Sequence, residues 1–191
     1  MKLSLINPKP ENICAIDAST NSLAFSIFKD GELFRFGKIN FEGKTTYDKV
    51  GDAARKSLAF FKHFEVDAIV IEQTVYMNSP KTAADLALVQ GALLGGAMSG
   101  GIKQVGTINP IAWQTFINNG KLTAMEKTAI MTEFPGKSKS WYKNKEREIR
   151  KNKTIKFVNT YFDRDISDND VADAVGIGYY ALNNWGKIFG S

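Results

Sequence analysis

Apolar residues recur along the chain with two different spacings, which predict where strands and helices lie. Compact apolar runs at 13–17, 23–28 and 33–41 are separated by short polar segments, as in an antiparallel β-meander. Residues 45–64 instead carry apolar side chains every three or four positions, which predicts an amphipathic α-helix. The first third of the chain is therefore predicted to contain three strands and a helix.

The rest of the chain alternates strands with helices. Strands are predicted at 67–72 and 104–108, and helices at 80–98, from Pro110 onwards, at 121–133, at 153–162 and at 169–189. Three antiparallel strands followed by strands that alternate with helices predict an α/β fold, with a mixed five-stranded sheet and helices on both faces. The length is typical of one domain, which we expect to span residues 1–191.

Composition argues against several classes of protein. No run approaches the roughly 18 apolar residues of a membrane-spanning helix, and residues 1–12 lack the apolar block of a signal peptide. Cys14 is the only cysteine and lies in an apolar run, so we expect a buried thiol and a reducing cytoplasm. His63 is the only histidine and would have to carry a zinc site or a Ser-His-Asp triad alone, so we expect a structural role.

Positive charge is concentrated in one segment of the chain. The formal net charge is +5, yet residues 137–156 alone hold nine Lys or Arg and two Glu. The remainder of the chain is therefore slightly acidic. Such a local excess of positive charge predicts contact with a polyanion such as nucleic acid. The simpler alternative is a solvated helix face with Trp141 packed on the core.

Four acidic residues stand out because of where the predicted elements place them. Asp17 and Glu72 each end an apolar strand, and Asp170 and Asp173 lie three residues apart at the start of an Ala-rich helix. If the two strands are neighbours, the four carboxylates meet at one edge of the sheet. Mg²⁺ would relieve their mutual repulsion, and two such ions would support hydrolysis of a phosphodiester bond.

A structural role is the alternative for the same residues. A strand-end Asp commonly belongs to a turn, and an Asp pair at a helix start commonly caps the helix or complements its dipole. Asp168, Asn169 and Asp170 are all candidates for the N-cap. The coincidence of two strand-end acids with an acidic pair at a helix start favours the metal site.

These residues also carry a resemblance to a known family. Segments of the chain resemble successive motifs of RuvC-type Holliday junction resolvases, within the RNase H-like superfamily. They are Ile16-Asp17-Ala18-Ser19, Glu72-Gln73 with the aromatic-bearing loop to Asn78, Gln90-Gly91-Ala92-Leu93, Asn109-Pro110, Gly120-Lys121, Glu126-Lys127 and the closing Asp170-Val171-Ala172-Asp173-Ala174. The resemblance runs from about residue 13 to residue 182, and the long basic insert at 137–153 is similar to that of the phage-encoded branch.

That resemblance implies a function, cofactors and a partner. Asp17, Glu72, Asp170 and Asp173 would be catalytic and would bind two Mg²⁺ or Mn²⁺ ions. The protein would be a homodimer that nicks two strands of a four-way DNA junction symmetrically, in the cytoplasm of a bacterial host if it is phage-encoded. Tyr76, or Val75 beside it, would lie where family members place a residue that wedges into the junction. Forks and flaps are further expected substrates.

The predicted DNA-contacting residues combine this wedge residue and two lysines of the preceding region with the basic segment at about 136–156. They are Tyr76, Lys121, Lys127, Lys137, Lys139, Trp141, Lys143, Lys145, Arg147, Arg150 and Lys151. Lys and Arg would neutralise phosphates, which makes binding depend strongly on salt. Trp141 would stack on an unpaired base.

Departures from the family pattern leave other functions open. Residues 18–23 lack the glycines that usually follow the first Asp in this family. One alternative is another RNase H-like nuclease, such as a ribonuclease H or a transposase-like enzyme. A second is a non-catalytic module that binds branched DNA. A sugar-kinase-like protein is disfavoured, because no Gly-rich phosphate loop follows the first strand.

Overall fold

Five strands form one mixed sheet in the computed structural model, which describes residues 10–74 and 79–189. The strands are β1 (Asn12–Ala18), β2 (Ser22–Lys29), β3 (Glu32–Asn40), β4 (Ala68–Glu72) and β5 (Gln104–Ile108). Their order across the sheet is β3-β2-β1-β4-β5. β2 pairs antiparallel with both β1 and β3, whereas β4 runs parallel to both β1 and β5. The predicted mixed sheet is confirmed.

Helices occupy much of the remaining described chain. They are α1 (Thr46–His63), α2 (Pro80–Ser99), α3 (Pro110–Phe116), α4 (Ala124–Glu133), α5 (Lys139–Phe162), α6 (Asn169–Asn183) and α7 (Trp185–Phe189). None of these described helices is long and apolar enough to cross a membrane.

Three helix boundaries differ from the prediction. α4 begins at Ala124, three residues later than predicted, because Thr123 is its N-cap and accepts a hydrogen bond from the backbone N–H of Glu126. α5 is a single helix of 24 residues that takes in most of the basic segment, for which no element is predicted. Ser138 caps it by accepting a hydrogen bond from the backbone N–H of Trp141. The N-terminal, basic half of α5 lies on the surface and therefore has no apolar stripe that would reveal a helix. Its Lys, Arg and Glu residues nevertheless have high helix propensity. The predicted last helix is divided at Asn184, which leaves the helical conformation between α6 and α7.

Helices cover both faces of the sheet, and alternation along the strands decides which face receives each side chain. Cys14 and Ile69 point towards α1 and α2, in one hydrophobic core. Ile13, Ala15 and Val70 point the other way, towards α3 and α6, in a second core. Cys14 is fully buried, as its sequence context predicts.

Small residues allow α6 to lie close against β2 and α3. A Cβ atom at Gly178 would collide with the ring of Phe28, and one at Gly176 would lie 2.8 Å from a ring carbon of Trp113. The hydroxyl of Ser26 in β2 donates a 2.8 Å hydrogen bond to a backbone carbonyl of α6. These contacts fix the position of the first turns of α6 relative to the sheet.

Candidate active site

Two neighbouring strands bring Asp17 and Glu72 to the same end of the sheet. β1 and β4 are parallel and Ile16 pairs with Ile71, so the two acids occupy equivalent positions one residue further along. Ala15 and Val70 pack on the face of the sheet that α3 and α6 cover. Asp17 and Glu72 each lie two residues further along the same strand, so their side chains point to the same face. Both carboxylates therefore leave the sheet on that face.

The start of α6 supplies the other two carboxylates. Asp168 is the N-cap, because its side chain accepts hydrogen bonds from the backbone N–H groups of Asp170 and Val171 at 2.8 and 3.1 Å. Among the three cap candidates, the structure therefore selects Asp168. Asp170 and Asp173 follow in the first turns of the helix and do not cap it.

All four predicted acids line one cavity of about 350 Å³. The convergence that the sequence predicts for Asp17, Glu72, Asp170 and Asp173 is therefore present. Other polar side chains share the cavity wall with them. They are Ser19, Gln73, Thr74, Gln90, Gln114, Asn119, Arg147, Arg150, Lys151 and Thr154.

Burial and mutual repulsion shift the ionisation of three of these acids. Burial, followed by the negative charges of Asp173 and Glu72, holds the pKa of Asp17 well above its usual range. Burial is also the main reason why the pKa of Glu72 is raised and why the pKa of Asp173 rises to about 7. Like charges in such surroundings are relieved most effectively by a bound cation.

Asp170 is held by lysines. The ammonium group of Lys38, on β3, lies 2.6 Å from one Asp170 oxygen and 3.1 Å from an oxygen of Asp168. Lys151, on α5, lies 3.9 Å from the other Asp170 oxygen. Sequence reasoning missed Lys38, because nothing around it distinguishes it from any other lysine on an edge strand.

The donor set fits a hard divalent cation, although the acids are not gathered into a preformed site. Within residues 10–74 and 79–189, no three Asp, Glu, His or Cys side chains are grouped closely enough to hold a metal ion. The four acids of the cavity nevertheless offer carboxylate oxygens, the ligand type that suits Mg²⁺ and Mn²⁺.

Polar residues behind the carboxylates contact two of them. Nε1 of Trp113 donates a 2.6 Å hydrogen bond to Oε2 of Glu72. The Thr154 side chain lies beside Asp173 and lowers the pKa of that carboxyl, which partly offsets the rise caused by burial. The side-chain amide of Asn119 donates to the Thr154 hydroxyl at 2.7 Å. Sequence reasoning missed these residues, and the only available signal was a predicted helical tryptophan, whose N–H needs a partner when buried.

Three of the positively charged side chains of the basic segment reach the cavity. Arg147, Arg150 and Lys151 line it, and their spacing of three and four residues places them on one face of α5. Arg150 also hydrogen-bonds to the side chain of Gln114 on α3. This face of α5 therefore sets positive charge directly beside the four acids.

The remaining predicted DNA contacts that lie within the described residues do not line the acidic cavity. Lys127 and Lys145 form ion pairs with Glu146 and Glu148, at 3.0 and 2.9 Å. Tyr76 and Val75 lie outside the described residues. The other predicted lysines are exposed, namely Lys121, Lys137, Lys139 and Lys143.

Trp141 packs against other side chains of the protein. Its ring centroid lies 5.2 Å from that of Phe134 and 5.4 Å from that of Tyr142. The ammonium group of Lys137 lies 5.7 Å from the Trp141 ring. Trp141 and these neighbours lie outside the hydrophobic clusters of the described residues, so packing of Trp141 on the core and base stacking by it both stay predictions.

The raised carboxyl pKa values predict that the metal-free protein becomes less stable as the pH rises. A pKa that is higher in the folded chain than in the unfolded chain means that the folded chain binds more protons, so the free energy of unfolding falls with rising pH. For Asp173 this window runs from the ordinary value of 3.8 to about 7. Carboxyls with lowered pKa values, such as Asp48 and Glu126, change the free energy of unfolding only at more acidic pH.

Thermal unfolding in the presence of a chelator, between about pH 5 and about pH 8, checks this expectation. The Tm should fall across this range, and Asp173→Asn should make the fall shallower. Asp48→Asn is the matched control and should leave the slope unchanged, because the pKa of Asp48 is lowered. A Tm that rises with pH would contradict the raised pKa values of the cavity carboxyls.

Comparisons with solved structures identify the fold. The chain is similar to Thermus thermophilus RuvC in complex with a Holliday junction substrate, with a TM-score of 0.66 and 14% identity over 94% of this chain and 99% of that chain. The chain has a RuvC-like fold. A second structure of Thermus thermophilus RuvC gives a TM-score of 0.63 and 14% identity over 93% of this chain and 98% of that chain.

The RuvC-like fold also extends to a eukaryotic structure. The yeast mitochondrial Holliday junction resolvase Ydc2 gives a TM-score of 0.50 and 14% identity, over 96% of this chain and 83% of that chain. No family model and no curated protein matches the sequence. At this identity the likeness shows the fold, so the RuvC-type resemblance of the motifs is confirmed at that level.

Proposed function

We propose that the protein is a divalent-metal-dependent endonuclease that resolves Holliday junctions and cuts related branched DNA. The observation that carries this proposal is the single cavity in which Asp17, Glu72, Asp170 and Asp173 converge beside a basic face of α5. The RuvC-like fold supports it, because one of the similar structures is a complex with a Holliday junction substrate.

The residues of the cavity divide into two groups with different tasks in phosphodiester hydrolysis. Two Mg²⁺ or Mn²⁺ ions, held by the four carboxylates, would supply an activated water and would stabilise the leaving oxygen. Arg147, Arg150 and Lys151 would bind the phosphate oxygens on either side of the cleaved bond, because they stand at the wall of the same cavity. Acidic and basic groups would thus hold the reacting phosphate from opposite sides.

We propose that the active form is a homodimer, because a four-way junction presents two equivalent strands and a two-fold dimer presents two equivalent cavities. The exposed side of α2 supports this. Leu88 and Met98 are 45% and 60% exposed, although Val89 and Leu93 of the same helix are buried. Two cavities acting together would give paired nicks across the junction.

A cleavage assay with a panel of labelled substrates tests the function. We expect Mg²⁺- or Mn²⁺-dependent cutting of a four-way junction, at symmetric positions on two strands. Weaker cutting is expected for flaps and forks, and none for linear duplex. Ca²⁺ and chelator should support binding without cleavage, since Ca²⁺ coordinates more loosely than Mg²⁺.

The same panel separates the alternatives. Preferential cutting of an RNA–DNA hybrid would replace the proposed function with that of another RNase H-like nuclease. Junction binding without cutting under any of these metal conditions would leave a non-catalytic DNA-binding module. Cutting of linear duplex at the same rate as the junction would remove branched DNA as the substrate.

Charge reversal on the face of α5 that lines the cavity should weaken DNA binding. Arg147→Glu together with Lys151→Glu should reduce junction affinity by about 10–100-fold near 0.1 M salt and should lower the slope of log K against log salt by about 2. The reason is that each of these side chains neutralises a phosphate. Fluorescence anisotropy in Ca²⁺ at several salt concentrations measures both quantities.

A second double variant controls for the change in net charge. Lys62→Glu with Lys103→Glu makes the same change at two exposed positions that do not line the cavity. It should leave the salt slope close to that of the unmodified chain. Equal losses in the two double variants would mean that overall charge, and not this face of α5, determines binding.

A further inference from the structure

The indole of Trp113 directly contacts one of the acids of the cavity. Its Nε1 donates a hydrogen bond to Oε2 of Glu72 at 2.6 Å. Trp113 is only 1% exposed, so water does not compete for this N–H group. Glu72 itself lines the cavity, so the hydrogen bond joins the protein core to the candidate metal site.

Two helices hold the indole in one position. α3 begins at Pro110, with Asn109 as its N-cap, and carries Trp113 in its first turn. On the other side, a Cβ atom at Gly176 would lie 2.8 Å from a ring carbon of Trp113, so α6 packs directly against the indole. A ring that is this closely packed keeps a single rotamer. The direction of its N–H is therefore set before any ligand arrives.

A second tryptophan shows that burial alone does not produce such a contact. Trp185 is 6% exposed and belongs to the same hydrophobic cluster as Trp113. Its Nε1 is buried and has no hydrogen-bond partner among the described residues. The chain thus tolerates an indole N–H without a partner in this core, whereas the N–H of Trp113 is directed at a carboxylate of the cavity.

We propose that Trp113 is a positioning residue, which orients the Glu72 carboxylate for a divalent cation. This inference rests on the proposed nuclease function. The terminal torsion of a Glu side chain has a broad, weakly restricted energy profile, so an unsupported carboxylate would sample many orientations. A fixed donor on one oxygen removes that freedom in advance, and outer partners of this kind change metal affinity or activity by about 10–100-fold.

The test compares Trp113→Phe with Trp185→Phe. Mn²⁺ binding to the free protein, measured by electron paramagnetic resonance, should weaken by about 10–100-fold in Trp113→Phe and should change less than about twofold in Trp185→Phe. The kcat for junction cleavage should fall in parallel with Mn²⁺ affinity. Junction affinity in the presence of chelator should stay unchanged, because Trp113 does not face the DNA in this proposal.

A closer substitution covers the case in which Trp113→Phe does not fold. Replacement of Trp113 by 3-benzothienylalanine, introduced by codon suppression, keeps the bicyclic ring and its packing on Gly176 and removes only the N–H. It should reproduce the loss of Mn²⁺ affinity. In a Glu72→Gln background the same replacement should cause no additional loss, since the effect of Trp113 is transmitted through the carboxylate.

The outcomes separate this inference from the proposed function. Normal Mn²⁺ binding by the benzothienyl variant, with an unmodified chain that cuts junctions, would overturn the role of Trp113 alone. An unmodified chain that binds Mn²⁺ but cuts none of the substrates would overturn the nuclease, while a weakened variant would still support the positioning role. An unmodified chain that neither binds Mn²⁺ nor cuts DNA would overturn both.

Discussion

Asp17→Asn should abolish DNA cleavage while leaving junction binding as tight as before, or tighter. The substitution keeps the shape of the side chain and removes the charge of a proposed metal ligand from the cavity. Loss of one ligand that stabilises the transition state should slow cleavage by at least about 10³-fold, which corresponds to about 4 kcal/mol. Binding should not suffer, because the variant also loses a negative charge that repels the phosphate.

Two measurements on the same preparation check this prediction. Single-turnover cleavage in Mg²⁺ gives the rate of the chemical step, and anisotropy in Ca²⁺ gives junction affinity. Asp30→Asn is the matched control, because Asp30 is an exposed turn residue with a positive φ of 50°, a conformation that Asn also tolerates. Asp30→Asn should cut normally. Normal cutting by Asp17→Asn would exclude Asp17 as a ligand.

The same variant should also be more stable than the unmodified chain when metal is absent. The pKa of Asp17 is raised mainly by burial and then by its acidic neighbours, so the ionised carboxylate destabilises the folded chain at neutral pH. Asn removes that charge. A higher Tm in chelator, together with lost cleavage, would show that Asp17 is retained for chemistry at a cost in stability.

Among substitutions of Gly by Ala in the helices that carry the site, Gly178→Ala should destabilise the protein most. The new Cβ would collide with the ring of Phe28, and both residues are fully enclosed between α6 and β2. Overpacking of a core commonly costs about 1–3 kcal/mol, and we expect the upper end of that range here, because both contacting groups are held by secondary structure. Urea unfolding with an unchanged m-value would measure this loss.

Gly51→Ala provides the control for this prediction. Gly51 lies in the middle of α1, and a Cβ there would meet only the flexible end of Arg55 at 3.7 Å. Alanine should therefore stabilise the protein by about 0.5–1 kcal/mol, as expected for Gly replaced in a helix. If both substitutions stabilise the protein, the close approach of α6 to β2 is wrong.

The acids of the cavity were accessible to sequence reasoning because local rules place them. Asp17 and Glu72 end apolar strands, and Asp170 and Asp173 share a helical face through their spacing of three residues. The remaining assumption was that the two strands are neighbours. The observed pairing of β1 with β4 meets that assumption.

The residues that support these acids were not predictable in the same way. Trp113 and Glu72 are 41 residues apart, and Lys38 and Asp170 are 132 residues apart. Such contacts depend on how α3 and β3 pack against the rest of the molecule, and no periodicity or motif reports that packing. The helical state of the basic segment was missed for a related reason, since an exposed helix has no apolar stripe to reveal it.

If Asp170 binds a divalent cation as proposed, its contact with Lys38 would give the outer edge of the sheet a thermodynamic link to that ion. An ion that took this oxygen of Asp170 would compete with an ammonium group that lies 2.6 Å away. Ion loading would then be an exchange of one cation for another, and its free energy would be the difference between two electrostatic contacts. By reciprocity, anything that draws Lys38 away from α6 would make ion binding tighter, and an incoming phosphodiester carries the charge to do so.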